Sequence, residues 1–464
     1  MEYCKTLEAS TRAQVLVVGA GLGGVAAAIA AARSGADTLL IERNGYPGGV
    51  ATAGHCCSLF NCFFMDDGTQ AVGGIPYEIA CALANRAGGP GEGWQKHRGH
   101  MIFDIEKAKM VLTDLMLEAG VRVRYFTPLS DVVTEDGRIK GVLVTGRNGL
   151  EYIEADTFVD ATGDSDLAVS AGCPYRTIEG KASYLFRLGN VDMDKVVDYF
   201  RKNPDEYIDH VDIDWEVQDA IRQYDETGTF LFPHGGGEEL SFFKEAEANG
   251  EFQKDIGTQT RLDALQMHGI RETGTIHVIT GFTPISSLDA DTLTERVHEG
   301  RRLMFYVADF MKKRFPGMEN SYVASMADDL GVRMSRVIKN GNRLSKEAQI
   351  TGGKCEESAG RCLVVIGQRK PGQVLGVQTL GQDVFDVPLK ALIPDAVDNL
   401  IMGAGRSISA QTMGLIRVMV NTMVVGQAAG TTAATAALAG TTVRDVDYPS
   451  VRSRLNAFGA FDQF

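Results

Sequence analysis

Histidine, cysteine and arginine side chains with chemical potential fall in three places along this chain. His55, Cys56 and Cys57 are consecutive, and Cys62 follows Cys57 after four intervening residues. Thiols at that spacing could close a redox-active disulfide, and an imidazole beside them, with a reference pKa near neutrality, could move a proton. His268 and His277 mark a second region, where each reads either as an acid–base group or as a hydrogen-bonded structural histidine. Arg333 and Arg336 stand in GVRMSR, where a guanidinium pair could clamp a carboxylate or polarise a carbonyl. Asp328 and Asp329, just upstream, offer those arginines ordinary ion pairs instead. The eight cysteines include no CxxC, which argues against zinc or iron–sulfur ligation, and no metal is expected.

The amino-terminal residues supply a scaffold. QVLVV at residues 14–18 reads as a buried strand, GAGLGG at 19–24 opens an Ala-rich helix over 22–33, and TLLIE closes a second strand at Glu42. Strand, glycine turn, helix and terminal acid in that order form a dinucleotide cradle. Gly19 permits the tight turn, Gly21 lets a pyrophosphate approach the N–H groups of the helix N-terminus, and Gly24 lets the helix pack on the strand. Glu42 can accept hydrogen bonds from a ribose diol, and Arg43 beside it joins the cofactor-binding candidates. PGG at residues 47–49 then leads into VATAGHCC, which puts Gly49 and Thr52 where the far end of the cofactor would lie.

The rest of the chain must complete this domain and cover it. With 464 residues, two or three domains are expected. Sixty acidic against 46 basic side chains give a formal charge of −14, which disfavours nucleic acid as a partner. Apolar residues recur at helical spacing over 104–119, and strands around 131–134 and 139–145 are joined by Asp136-Gly137, an antiparallel hairpin within a parallel-sheet domain. A strand over 157–160 delivers the small turn ATGD, with Gly163 and Asp164 at a position where open α/β sheets bind ligands. Residues 85–99 read as a surface loop in preference to a lid. Beyond Pro174 aromatic clusters alternate with acidic segments, and a long amphipathic helix is expected over 291–315. Residues 418–443 carry no charge, yet Asn421, Gln427 and several threonines favour a helix buried in protein over a membrane span. The lack of a secretory leader pattern before Gln14 leads to an expected cytoplasmic location.

Taken together, GAGLGG with Glu42, the PGG turn, ATGD, GAGRSIS at 403–409 and GLIRVM…GQAAG at 414–430 resemble the FAD-dependent oxidoreductase family. That family is related to the flavoprotein subunits of fumarate reductase and succinate dehydrogenase. The resemblance extends to GVRMSR and is weak between about residues 175 and 320. It implies a Rossmann-like FAD-binding domain split between residues 1–174 and 383–464, with a mixed α+β substrate domain over 175–382. A C-terminal helix beginning near Ile416 to Met419 would aim its N–H groups at the flavin N1–C2=O locus, with Arg417 and Val418 alongside and Gly405 and Arg406 against the ribityl or pyrophosphate. GAGRSI imitates a second cradle, but Ile408 replaces its third glycine. Relatives with covalent flavin carry a His about four residues beyond the loop proline; Val50 and Ala51 stand there, so non-covalent FAD is expected.

The expected activity is hydride transfer between a small organic substrate and flavin N5, with His55, His277, Arg333 and Arg336 as catalytic candidates. The second electron donor or acceptor is unknown, and the oligomeric state stays open, a homo-oligomer included. One alternative is a thiol or disulfide reductase using Cys57 and Cys62, although these lie farther from the GG turn than the redox pair of flavin disulfide reductases. Another is a tRNA-modifying flavoprotein, which the negative charge disfavours.

Overall fold

The computed structural model describes residues 6–59, 63–65, 68–97, 100–207, 216–232, 240–258, 262, 265–285, 288–363, 384–414 and 416–461. Ala9–Val18, whose last four residues are buried, is the middle strand of a seven-stranded sheet. Thr38–Ile41 and Gly149–Asp160 flank it in parallel, Arg122–Arg124 pairs outside Thr38–Ile41, and Leu400–Met402 pairs in parallel with Gly149–Asp160. Strands covered on both faces must be continuously apolar, as VLVV at residues 15–18 and LLI at 39–41 are. Leu129–Glu135 and Arg138–Gly146 extend the sheet as the antiparallel hairpin expected from sequence. Its turn has Asp136 at φ 49° and Gly137 at φ 73°, the left-handed pair that matches the twist of a two-residue hairpin.

The charge-free stretch folds as Met419–Ala439 and crosses Leu22–Arg33 so closely that the backbones meet. A Cβ at Gly426 would stand 2.0 Å from the Gly23 carbonyl oxygen, and one at Gly430 would stand 1.9 Å from that of Ala27. Thr431, Thr432 and Thr435 return their hydroxyls to carbonyls one turn back, at 2.7, 2.8 and 2.7 Å. Close contact with another helix therefore explains the Gly, Ala and Thr composition. Among the described residues no helix is long and apolar enough to cross a membrane. Residues 85 and 86 belong to the helix Gly74–Arg86, and Trp94 is buried with its ring 5.4 Å from Phe63, so the described part of the 85–99 stretch is anchored at Trp94, while residues 98 and 99 lie outside the described residues.

A second, antiparallel sheet runs in the order Thr229–Phe232, Gln266–Ile270, Thr275–Ile285, Gly180–Gly189, Tyr322–Met326, with Gly331–Val332 also pairing Gly180–Gly189. Directly opposed residues on neighbouring strands share a face. Phe230, Phe232, Met267, Val278, Tyr184 and Phe186 form the apolar face. Ala290–Arg314, the long amphipathic helix, lies on that side, with Gly300 against the Tyr184 ring. The aromatic clusters noted in the sequence are this core, for example Phe200 stacked on Phe232 at 5.0 Å. The opposite face carries Leu185, Arg187, His268, His277, Ile279 and Ser325, and it is turned towards residues 55–57.

Candidate functional site

Five parallel strands end at one edge of the first sheet, and the loops after four of them hold nearly all the cofactor candidates. Gly19, at φ 99°, turns the chain where a Cβ would lie 2.7 Å from the Ala161 carbonyl oxygen. Gly24 is packed as tightly, its Cβ position 1.9 Å from the Gly19 oxygen, whereas a Cβ on Gly21 would meet nothing within 4 Å. The open space therefore lies beside Gly21, at a helix N-terminus with no side-chain cap, the kind of place where backbone N–H groups bind an anion. The PGG turn closes on the same place. Gly48 donates its N–H to the Ala20 carbonyl at 2.7 Å, and a Cβ at Gly49 would come within 2.9 Å of the Gly21 Cα.

Glu42 is buried, which pushes its pKa up, and its carboxylate accepts the Ala20 N–H at 2.7 Å and the Asn44 N–H at 2.9 Å. Each oxygen keeps a lone pair, so these bonds leave room for a ribose diol. Thr52 donates its hydroxyl to the Pro47 carbonyl at 2.7 Å, a contact that shapes the loop. Arg43 is held by Asp329 at 2.6 Å, and the Tyr46 hydroxyl donates to Asp328. The N–H groups of Asp328 and Asp329 both reach the Ala53 carbonyl, at 2.8 and 3.2 Å. These aspartates thus hold down residues 43–53, and the ion pairs to Arg333 and Arg336 suggested by sequence proximity give way to this role.

Arg333 and Arg336 part company. Arg336 pairs with Asp166 and donates its Nε to the Asp164 carbonyl at 2.8 Å, while the Nε of Arg333 points to the Ser183 hydroxyl at 3.4 Å. Around the ATGD turn Asp164 accepts from Arg406 at 2.9 Å and from the Ser335 hydroxyl, and a Cβ at Gly163 would touch the Arg406 guanidinium at 2.7 Å. Arg406 also donates to the Val332 carbonyl. Gly405 is closed in, its Cβ position 2.1 Å from the Ile416 carbonyl oxygen. This cluster ties the carboxyl-terminal segment to the end of Gly149–Asp160.

Arg417 occupies the most exceptional position. Its Nε is buried without a hydrogen-bond partner, directly before Met419–Ala439, whose N-terminus at Val418 has no side-chain cap. Burial, then the charges of Arg333 and Arg406, push the pKa of Arg417 down to about 9, which still leaves it a cation at neutral pH. Arg333 and Arg417 both favour the thiolate of Cys56, but burial outweighs them and raises that pKa. A partly buried guanidinium whose Nε is an unused, enclosed donor at an uncapped helix N-terminus is a site for an electron-rich polar group.

Above residues 55–57 the antiparallel sheet presents a transverse row. His268 is directly opposite His277, His277 opposite Arg187, and Arg187 opposite Ser325. His277 is fully buried with neither ring nitrogen partnered, and its ring stands edge-on to His55 at 5.9 Å. The Nδ1 of His268 lies 3.7 Å from the Cys57 Sγ, and Arg187 lies 3.8 Å from Asp104. Burial lowers the pKa of His55 to about 4 and of His268 to about 3, and sends that of His277 well below its ordinary value. Among the described residues no group of three or more His, Cys, Asp or Glu is arranged to hold a metal. Arg187 and Asp104 were not singled out in the sequence, although an arginine inside the apolar run SYLFRLG was a visible signal. Cys62 lies outside the described residues.

A parallel sheet with a glycine cradle, a second polar locus at the opposite helix and an overlying antiparallel sheet make up a dinucleotide-binding architecture. The chain belongs to the FAD-dependent oxidoreductase family, whose model matches residues 14–455, and FAD is its cofactor. A thiamine thiazole synthase from Aeropyrum pernix is 30% identical over 180 residues, covering 35% of this chain and 58% of that protein. Among solved structures, a geranylgeranyl bacteriochlorophyll reductase-like protein from Thermoplasma acidophilum is 16% identical with a TM-score of 0.45, covering 96% of this chain and 83% of its own. The p-nitrophenol 4-monooxygenase from Pseudomonas putida is 12% identical with a TM-score of 0.46, covering 97% and 86%. FAD fits the residues present: Gly21 leaves space for a pyrophosphate, and Arg417 holds an unused donor.

Proposed function

We propose that the protein is a cytoplasmic oxidoreductase that moves a hydride between a C–H bond of a small organic substrate and the N5 of non-covalent FAD. Bound FAD supplies the hydride chemistry, and the protein binds, orients and shields. Gly19, Gly21, Gly24 and Glu42 hold the adenosine and pyrophosphate half; Gly49, Gly163, Asp164, Gly405 and Arg406 line the middle; Arg417 and Val418 meet the flavin ring. The observation that carries this reading is the unpartnered Nε of Arg417 at the uncapped start of Met419–Ala439. A cation there stabilises added electron density at a pyrimidine carbonyl. The kinship with fumarate reductase and succinate dehydrogenase flavoproteins belongs to this proposal and rests on GVRMSR beside the ATGD turn. So does the division at residues 1–174, 175–382 and 383–464. The second electron partner is a second substrate, a quinone, oxygen or a redox protein.

A thiol mechanism finds less support. Burial holds the Cys57 pKa well above its ordinary value and that of His268 at about 3, so the two face each other as neutral thiol and neutral imidazole. The reactive form of a cysteine is the thiolate. The function is tested by mixing the FAD-loaded protein anaerobically with a panel of small alcohols, ketones and acids and reading the visible flavin band. Bleaching by one member, with its oxidised product formed in equal amount, is expected. Reduction by a small dithiol alone would contradict the proposal.

A further inference from the structure

The polar face of the antiparallel sheet is buried, yet it is incompletely satisfied. His277 has both ring nitrogens without a partner, His55 lacks one at Nδ1, and Arg187 lacks one at Nε. All three positions are close together, because Arg187 is directly opposite His277 and His277 is edge-on to His55. Buried polar atoms almost always find a hydrogen bond, and leaving one unmade is costly. Several orphaned atoms at one place mark a seat for a polar molecule. The seat borders an apolar patch, in which Leu185, Ile279 and Ala327 pack with Cys56.

Charge decides what kind of molecule fits. Arg187 is countered by Asp104 at 3.8 Å, and burial keeps His55, His268 and His277 in the neutral form. The row therefore has no excess positive charge for a carboxylate or phosphate. A neutral imidazole offers one donor and one acceptor. We propose that His277 and His55, with Arg187, hold an uncharged oxygen of the substrate, a hydroxyl or a carbonyl, while the Leu185–Ile279–Ala327 patch takes its carbon skeleton. This inference rests on the flavin reading of the site and narrows its substrate class: neutral hydroxy or keto compounds, with anions selected against at this end.

The probes are hydroxyacetone and its anionic counterpart glycolate, each titrated into the FAD-loaded protein while the visible flavin spectrum and the thermal midpoint are recorded. Hydroxyacetone is expected to give a saturable spectral change and to raise the midpoint, with glycolate weaker by at least about tenfold, the discrimination that one unmatched buried polar contact produces. His277→Leu is expected to weaken hydroxyacetone by about tenfold or more, and His277→Gln to recover part of the loss. Absence of saturable binding, tighter binding of glycolate, or unchanged affinity in a folded His277→Leu protein would each overturn the proposal. The comparison of the probes needs no variant, so it stands even if His277→Leu fails to fold. FAD content is measured on every preparation: a protein that takes up no FAD contradicts the flavin reading, whereas loaded FAD with no probe response contradicts only this inference.

Discussion

His55 takes a left-handed backbone, φ 57°, rare for a residue with a side chain, although His visits it more often than most. Its N–H reaches the Thr52 carbonyl at 3.0 Å, and the next N–H reaches that of Val50 at 3.0 Å, so the turn after the PGG loop drives the ring under the antiparallel sheet. Burying that ring neutral has a pH signature. The pKa is about 4 in the folded chain against 6.5 for the free side chain, so the unfolded state takes up the proton first as pH falls. The stability is complete above about pH 6.5 and is lost progressively towards about pH 4. At about 1.4 kcal/mol per pKa unit, His55 alone contributes a loss on the order of 3 kcal/mol. Asp160, raised to about 6 by burial, works in the opposite sense but is common to wild type and variant. His55→Asn, which tolerates the left-handed turn, should therefore lose stability less steeply than wild type between pH 7 and 5 in thermal unfolding. Parallel curves would refute the buried neutral imidazole. At the neighbouring thiol, Cys57→Ser should retain full turnover, and loss of activity with FAD still bound would restore the thiol mechanism.

At the scale of elements, the crossing of Leu22–Arg33 and Met419–Ala439 fixes the distance between the cradle and Arg417. Gly430→Val places methyl groups where even a Cβ would lie 1.9 Å from the Ala27 carbonyl oxygen. Overpacking of this kind costs about 1–3 kcal/mol or more, and because it displaces the helix it should also lower FAD retention. Leu438→Ala, on the exposed side of the same helix, should change stability by less than about 0.5 kcal/mol. Thermal midpoints and FAD content of the two variants check the pair; equal effects would deny that the crossing is tight. These elements were legible because local chemistry dictates them: glycine spacing for the cradle, Asp-Gly for the hairpin, helical period for Ala290–Arg314. The polar row was legible only in fragments. His268 and His277 stand out singly, but nothing local says that the turn between their strands sets them opposite each other, or that Arg187 comes from a strand far upstream. For the same reason Arg333 and Arg336, neighbours in GVRMSR, were read as a pair, while the fold gives them separate partners.

At the scale of the whole molecule, segments near both ends of the chain meet in one sheet, and the proposed function makes that join a cofactor clamp. Leu400–Met402 completes the sheet begun by Ala9–Val18, and Arg406 reaches Asp164 at 2.9 Å across that join. A ligand touching both segments stabilises the folded state by mass action, about 2.7 kcal/mol when free FAD is at a hundred times its dissociation constant. The unfolding midpoint should rise with added FAD, and Glu42→Ala should reduce that rise because a ribose acceptor is lost. An identical rise in the variant would remove Glu42 from the binding set.

The orientation of the cofactor in this clamp, adenine at the glycine cradle and redox end at Arg417, is the claim on which the rest depends. The midpoint potential of bound FAD in wild type and Arg417→Ala measures it directly. Removing a charged hydrogen bond worth about 1.5–3 kcal/mol to the reduced form should lower a two-electron potential by about 30–60 mV. An unchanged potential, with FAD fully bound in both proteins, would contradict the account.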